Sequence, residues 1–264
     1  MQHVRSTDGT LIAFDRVGQG PPIVLVDGAL CYRASGPMRA LAAQLAPSFT
    51  VYTYDRRGRG DSGDRAPWAI EREFEDLDAL VAEAGGSAFV LGLSSGAALA
   101  LEAAAQGLAV RKLALYEAPF VVDDTYPPME ETYLPELKTM VAANRRGDAV
   151  KHFMKRVGVP RIFVALMRIM PAWSKLTAVA PTLVYDISIV EPYQKGRPLP
   201  AARWATVSAP TLVADGGKSP AWMRNGMRAL AGILPNATYR TLAGQTHMVK
   251  AQVLGPVLVE FFRS

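Results

Sequence analysis

Short β-rich runs alternate with helical patterns through the first 118 residues, and no other feature of the chain narrows its fold as much. The runs "TLIAFDRV", "PIVLVDG", "FTVYTYD", "SAFVLGL" and "KLALYEA" are each bounded by glycine, proline or polar turns. Between them, "MRALAAQLA", "EREFEDLDALVAEAG" and "SSGAALALEAAAQG" carry apolar residues at helical spacing. Such alternation predicts an α/β fold, a mostly parallel sheet flanked by helices. The first two or three strands are expected to form an antiparallel entry, because the turn "VGQGPP" is too short for a crossover connection.

From about residue 120 to 206 the pattern becomes helix after helix, punctuated by prolines, which predicts an inserted helical cap. The alternation then resumes with "APTLVADGG", a helix near "PAWMRNGMRALAGIL", the strand "ATYRTL" and a last helix "VLGPVLVEFFRS". The expected organisation is an α/β core of residues 1–119 and 207–264 interrupted by a lid of residues 120–206. Half of the 264 residues are hydrophobic, enough for a well-buried core. "GRGDSG", residues 58–63, has the glycine spacing of a dinucleotide-binding turn, but Pro67 delays the helix that would hold pyrophosphate, so it reads as a loop.

The single cysteine, Cys31, rules out an intramolecular disulfide and a cysteine-rich metal site, in keeping with a reducing compartment. "MQHVRSTDGT" has no signal-peptide core, and no run approaches the roughly 18 apolar residues of a membrane span. A soluble cytoplasmic protein is the expectation. The net charge of +5 raises nucleic acid as a partner, yet its distribution argues against one. Cations cluster between Arg145 and Lys175 against the single acid Asp148, with Phe153, Met154, Phe163, Met167, Met170 and Trp173 interleaved at helical spacing. This pattern predicts amphipathic helices with a solvated basic face, a surface for an acidic ligand, membrane or partner being the alternative.

Chemistry enters at "VLGLSSGAAL". Glycine-x-serine-x-glycine between a strand and a helix forces a sharp turn that projects the serine hydroxyl, and Gly92, Ser94 and Gly96 have that spacing. Ser95 does not, since Leu93 lies two residues before it. A serine nucleophile needs a base, usually histidine. His3 belongs to the first strand and His152 to the basic cap, whereas His247 lies in the loop after the final strand. The acid that would orient it is open among Glu117, Asp215, Asp27 and the pair Asp123 and Asp124. Glu117 ends the strand that follows the elbow helix, at the carboxyl edge beside the nucleophile strand; a buried glutamate paired with an arginine such as Arg56 is its structural alternative.

These segments resemble the α/β-hydrolase superfamily over essentially the whole chain. "IVLVDGA" looks like the strand and oxyanion loop, "YTYDRRGRGDS" like the next strand and its arginine-glycine loop, "GLSSG" like the elbow and "GQTH" like the histidine loop. The resemblance implies an eight-stranded, mostly parallel sheet. Two positions depart from it: Asp27-Gly28 replaces the common His-Gly, and Ser219 occupies the usual place of the acid. An Asp-Gly oxyanion loop, a Ser-Ser-Gly elbow and a glutamate ending the next strand resemble the zearalenone-lactonase type within that superfamily. That likeness implies a triad of Ser94, Glu117 and His247, with oxyanion donors from the Ser95 and Gly28 backbone, Ala29 being an alternative to Gly28. Trp173 would then be an aromatic cap residue of the substrate pocket, with Met154 and Leu93 also expected to line it.

The function so implied is a serine hydrolase that cleaves a carboxylic ester or lactone of a medium-sized hydrophobic molecule through an acyl-enzyme, without metal or organic cofactor. A cofactor-free lyase, cyclase or acyltransferase on the same residues, and a ligand-binding receptor built on a former hydrolase, are the alternatives. The expected partner is a small-molecule substrate, with a homodimer left open. Asp27 is expected at most to orient the oxyanion loop by hydrogen bonding to backbone.

Overall fold

A computed structural model describes residues 1–264. Its centre is an eight-stranded sheet of order β1-β2-β4-β3-β5-β6-β7-β8. The strands are β1 Gln2–Arg5, β2 Leu11–Val17, β3 Pro22–Val26, β4 Thr50–Tyr54, β5 Ala88–Leu93, β6 Val110–Tyr116, β7 Thr211–Gly216 and β8 Ala237–Leu242. Only β2 runs against the rest, antiparallel to both of its neighbours β1 and β4; β3 pairs in parallel with both β4 and β5. The antiparallel entry is therefore the first two strands, and β2 and β3 are not neighbours, because β4 slots between them. A short turn fixes that two strands run in opposite directions, not that they touch.

Alternating side chains send each inner strand into two cores. Val24, Val26, Val90, Leu113 and Leu115 face one cluster, and Ile23, Leu25, Leu91 and Ala114 face the other. The second cluster is closed by α1 (Met38–Leu45) and α10 (Ala251–Arg263) through Leu41, Leu254 and Leu258. The first is covered by α2 (Ile70–Glu83), α3 (Ser95–Ala105) and α9 (Ala221–Ile233). Helix α3 is apolar on every side, and its residues 95–103 are all buried, as expected of a helix held between a sheet and a further layer.

That layer is the segment between β6 and β7. It contains α4 Tyr133–Ala142, α5 Arg146–Arg156, α6 Arg161–Met167, α7 Ala172–Val179 and α8 Leu183–Val190, followed by short 3₁₀ turns at Glu191–Tyr193 and Ala201–Trp204. The chain stays irregular from 117 to 132 before the first of these helices. Glu102, buried in α3, ties the end of the segment down: it accepts hydrogen bonds from Tyr193 Oη, Trp204 Nε1 and the Arg203 guanidinium. The "GRGDSG" stretch is a loop. No single helix is long and apolar enough to cross a membrane.

Candidate active site

The turn between β5 and α3 puts Ser94 at φ 56°, ψ −126°, a left-handed conformation that costs a non-glycine residue about 1–3 kcal/mol. Its flanking glycines are obligatory. A Cβ on Gly92 would lie 2.4 Å from the Gly96 carbonyl oxygen, and one on Gly96 would lie 2.4 Å from that of Val26. Strand, helix and neighbouring strand thus hold the serine between them. The loop after β3 comes close: a Cβ on Gly28 would stand 3.6 Å from Ser94 Oγ.

Glu117 follows β6 directly, fully buried and with φ 48°. Its Oε1 accepts the Gly216 N–H at 2.7 Å and its Oε2 lies 2.8 Å from His247 Nδ1. The parallel β6–β7 pairing brings that amide to the carboxylate. His247 lies between β8 and α10, its ring 38% exposed, and its loop is fastened by Tyr116, whose hydroxyl donates to the Thr246 carbonyl at 2.7 Å. The other acids have other partners. Asp215 Oδ2 accepts the Tyr239 hydroxyl, Asp123 bonds Thr125 and Asn225, Asp124 is exposed, and Ser219 is buried with its hydroxyl unpartnered. Arg56 is engaged by Glu73 and Asp186, not by Glu117.

The loop beside the serine offers fewer free donors than its sequence suggests. Asp27 Oδ1 accepts the Gly28 N–H at 2.9 Å, so that donor is already engaged, whereas the Ala29 N–H meets no acceptor in the protein. The Ser95 N–H opens α3 and is one of the donors a helix leaves without an internal partner. Burial pushes the Asp27 carboxyl up to about 7, a rise that the Gly28 N–H and nearby Arg59 and Arg56 only partly offset.

Beneath the loop lies a buried ionic cluster. Arg59 donates to the carbonyls of Gly28 at 2.6 Å and Cys31 at 3.1 Å. Arg59 and Arg56 each reach Asp186 of α8 at 2.6 Å, and Asp186 also accepts the Ser95 hydroxyl at 2.8 Å. One carboxylate from the helical segment therefore holds both the first residue of α3 and, through Arg59, the Gly28 loop. Burial raises the pKa of Asp186, but Arg59 and Arg56 outweigh it and the carboxyl sits below its usual range. Sequence reasoning missed this residue, although a signal was present: Asp186 is the one charge in the apolar run "PTLVYDISIV".

Leu93 packs into the core closed by α1 and α10, and Met154 packs on the other core. Trp173 lines a cavity of about 550 Å³ with Arg145, Arg146, Lys151 and Arg168, in which neither Ser94 nor His247 takes part. No cluster of three or more His, Cys, Asp or Glu side chains is spaced to hold a metal ion.

A model of the alpha/beta hydrolase family matches residues 18–249. The chain belongs to that family. Among solved structures, this hydrolase is similar to an alpha/beta hydrolase from Sphaerobacter thermophilus DSM 20745, at 53% identity and TM-score 0.91, covering 99% of this chain and 100% of the other. The enol-lactonase from Burkholderia xenovorans LB400 shares 21% identity at TM-score 0.71, with all of both chains covered. An esterase from Exiguobacterium antarcticum shares 17% at TM-score 0.75, covering 100% of this chain and 99% of that one. No curated protein sequence matches.

Proposed function

We propose that this hydrolase cleaves a carboxylic ester or lactone of a medium-sized hydrophobic molecule, through an acyl-enzyme on Ser94. The observation that carries the reading is the Glu117 carboxylate, one oxygen on the Gly216 amide at 2.7 Å and the other on His247 Nδ1 at 2.8 Å. A carboxylate so held fixes the tautomer with the proton on Nδ1 and leaves Nε2 as the base. His247 takes the Ser94 proton, the oxygen attacks the carbonyl, and the leaving alcohol or ring oxygen recovers that proton. Water activated by the same imidazole then releases the acid. The developing oxyanion is held by the N–H groups of Ser95 and Ala29, each such donor contributing a factor of about 10²–10³. The arrangement is similar to the zearalenone-lactonase type, with the acid after the strand that follows the elbow. Inward-facing apolar side chains of the 120–206 segment, which acts as the lid, supply the apolar part of the pocket; the exposed Phe163 and Met170 are not among them.

Intact-mass spectrometry after rapid quench with p-nitrophenyl esters of increasing chain length tests the proposal. The expected outcome is an acyl adduct on Ser94 that is absent in Ser94→Ala, with turnover favouring medium acyl chains over short charged ones. Turnover with neither adduct nor burst that persists in Ser94→Ala would mean that His247 activates water directly, and the acyl-enzyme reading would fall. Tight binding of esters with no turnover would favour a receptor.

A further inference from the structure

Helix α6 carries an apolar stripe that faces solvent. Ile162, Phe163 and Leu166 are 67%, 57% and 51% exposed, and the stripe runs on through Ile169 and Met170 at 83% and 54%. Positions 162, 166 and 169, and 163, 166 and 170, repeat at the helical period, and the i to i+3 hydrogen bonds of Ile169 and Met170 continue the winding past the end of α6. Only Val164 is buried, on the side that packs inward. A soluble chain rarely exposes so contiguous an apolar surface without a partner for it.

The surroundings of the stripe name the partner. Arg161 opens the helix and Arg168 follows it; both are exposed, as is Lys175 beyond, and none of the three forms an ion pair. Arg168 also lines the cavity that holds Arg145, Arg146 and Lys151, so the apolar ridge continues into a basic hollow. The one acid there, Asp148, is already paired with Lys151 at 2.6 Å. We propose that this face docks on an anionic phospholipid surface, the apolar ridge entering the acyl boundary while the cations meet headgroup phosphates. A second copy fits less well, because a two-fold interface sets each patch against itself and brings cation against cation, with only the already paired Asp148 among them. A ridge with Ile169 four-fifths exposed is also a knob rather than a groove for a peptide.

Co-sedimentation of the full chain with vesicles of phosphatidylcholine alone and with added phosphatidylglycerol tests this. Binding is expected only to the anionic vesicles, weakening as salt is raised. Arg161→Gln with Arg168→Gln should weaken it by about thirtyfold, from the usual contribution of a surface cation. Phe163→Ser with Ile169→Ser should weaken it at least about tenfold, with melting temperature and hydrolysis of a water-soluble ester unchanged. Equal binding to neutral and anionic vesicles, or none to either, would overturn the proposal. So would light scattering that shows a dimer which Phe163→Ser with Ile169→Ser converts to monomer.

Discussion

Replacing Glu117 by glutamine changes one oxygen into an amide nitrogen, and the structure dictates how the new group sits. The Gly216 N–H, which donates at 2.7 Å, can be met only by the amide oxygen, since the inverted rotamer would set two donors face to face in a fully buried place. The amide nitrogen is then left opposite His247 Nδ1, where Glu117 Oε2 stood at 2.8 Å. Nδ1 becomes an acceptor, so the ring carries its proton on Nε2 and loses the lone pair that takes the Ser94 proton. The same isosteric change in a serine protease lowers kcat about 10⁴-fold with the geometry intact, and a fall of about 10³–10⁴ is expected here. Steady-state hydrolysis of a p-nitrophenyl ester measures it, with thermal melting as the check on folding. The fall should lie in kcat rather than KM, because the lost function is proton transfer. Turnover within about tenfold of wild type in a variant that melts normally would refute the tautomer argument and the assignment of Glu117 with it. In that case Asp215→Asn, otherwise expected to act mildly, becomes the decisive variant.

Two further outcomes follow from the buried charges. Asp186→Asn leaves Arg59 in the core with no carboxylate, and breaking a buried pair on one side costs about 3–5 kcal/mol. In a chain of this size each kcal/mol moves the melting temperature by about 2–4 °C, so calorimetry should show a drop of at least about 6 °C; a drop below about 2 °C would mean the cluster is not held by charge. Asp27, raised from 3.8 to about 7 in the fold, retains a proton that the unfolded chain has released. Its contribution is therefore fully present below about pH 4 and is lost as pH climbs to about 7, a range that corresponds to about 4 kcal/mol. Asp27→Asn cannot ionise and should gain stability relative to wild type across that window, as read by urea unfolding at pH 5 and pH 8. Parallel pH profiles for the two proteins would contradict it.

Much of the sheet was legible because strand and helix periods alternate openly, and the elbow because its glycines have no substitute. The place of Glu117 at the carboxyl edge was legible from topology, since a residue ending the strand next to the one that carries Ser94 reaches the same edge; preferring it to Asp215 as the acid rested on the family resemblance. The strand order was not legible, since a turn length carries direction but not adjacency, and β4 enters between β2 and β3. Asp186 lies 130 positions from Arg56 and 91 from Ser95, and no local pattern joins residues that far apart. The engagement of the Gly28 amide depends on the rotamer of Asp27, which sequence does not specify. Leu93 belongs to a strand buried on both faces, where no alternation tells which way a side chain points. For α6, periodicity revealed a stripe but not its direction: Phe163 and Met170 read as part of an amphipathic helix with a solvated basic face, and they stand in solvent beside it.

The placement of the acid has a consequence for how this enzyme can change. In the proposed triad, nucleophile and acid lie within one continuous piece of chain, residues 94–117, that runs through α3 and β6. The end of β7 grips Glu117 only by the Gly216 backbone amide, which any sequence that keeps the turn will provide. Side chains at 217–220 are thereby relieved of chemical duty. The exposed Lys218 is free ground for mutation, where a side chain can be exchanged without rewriting the reaction, whereas the buried Ser219 stays tied to the packing around it.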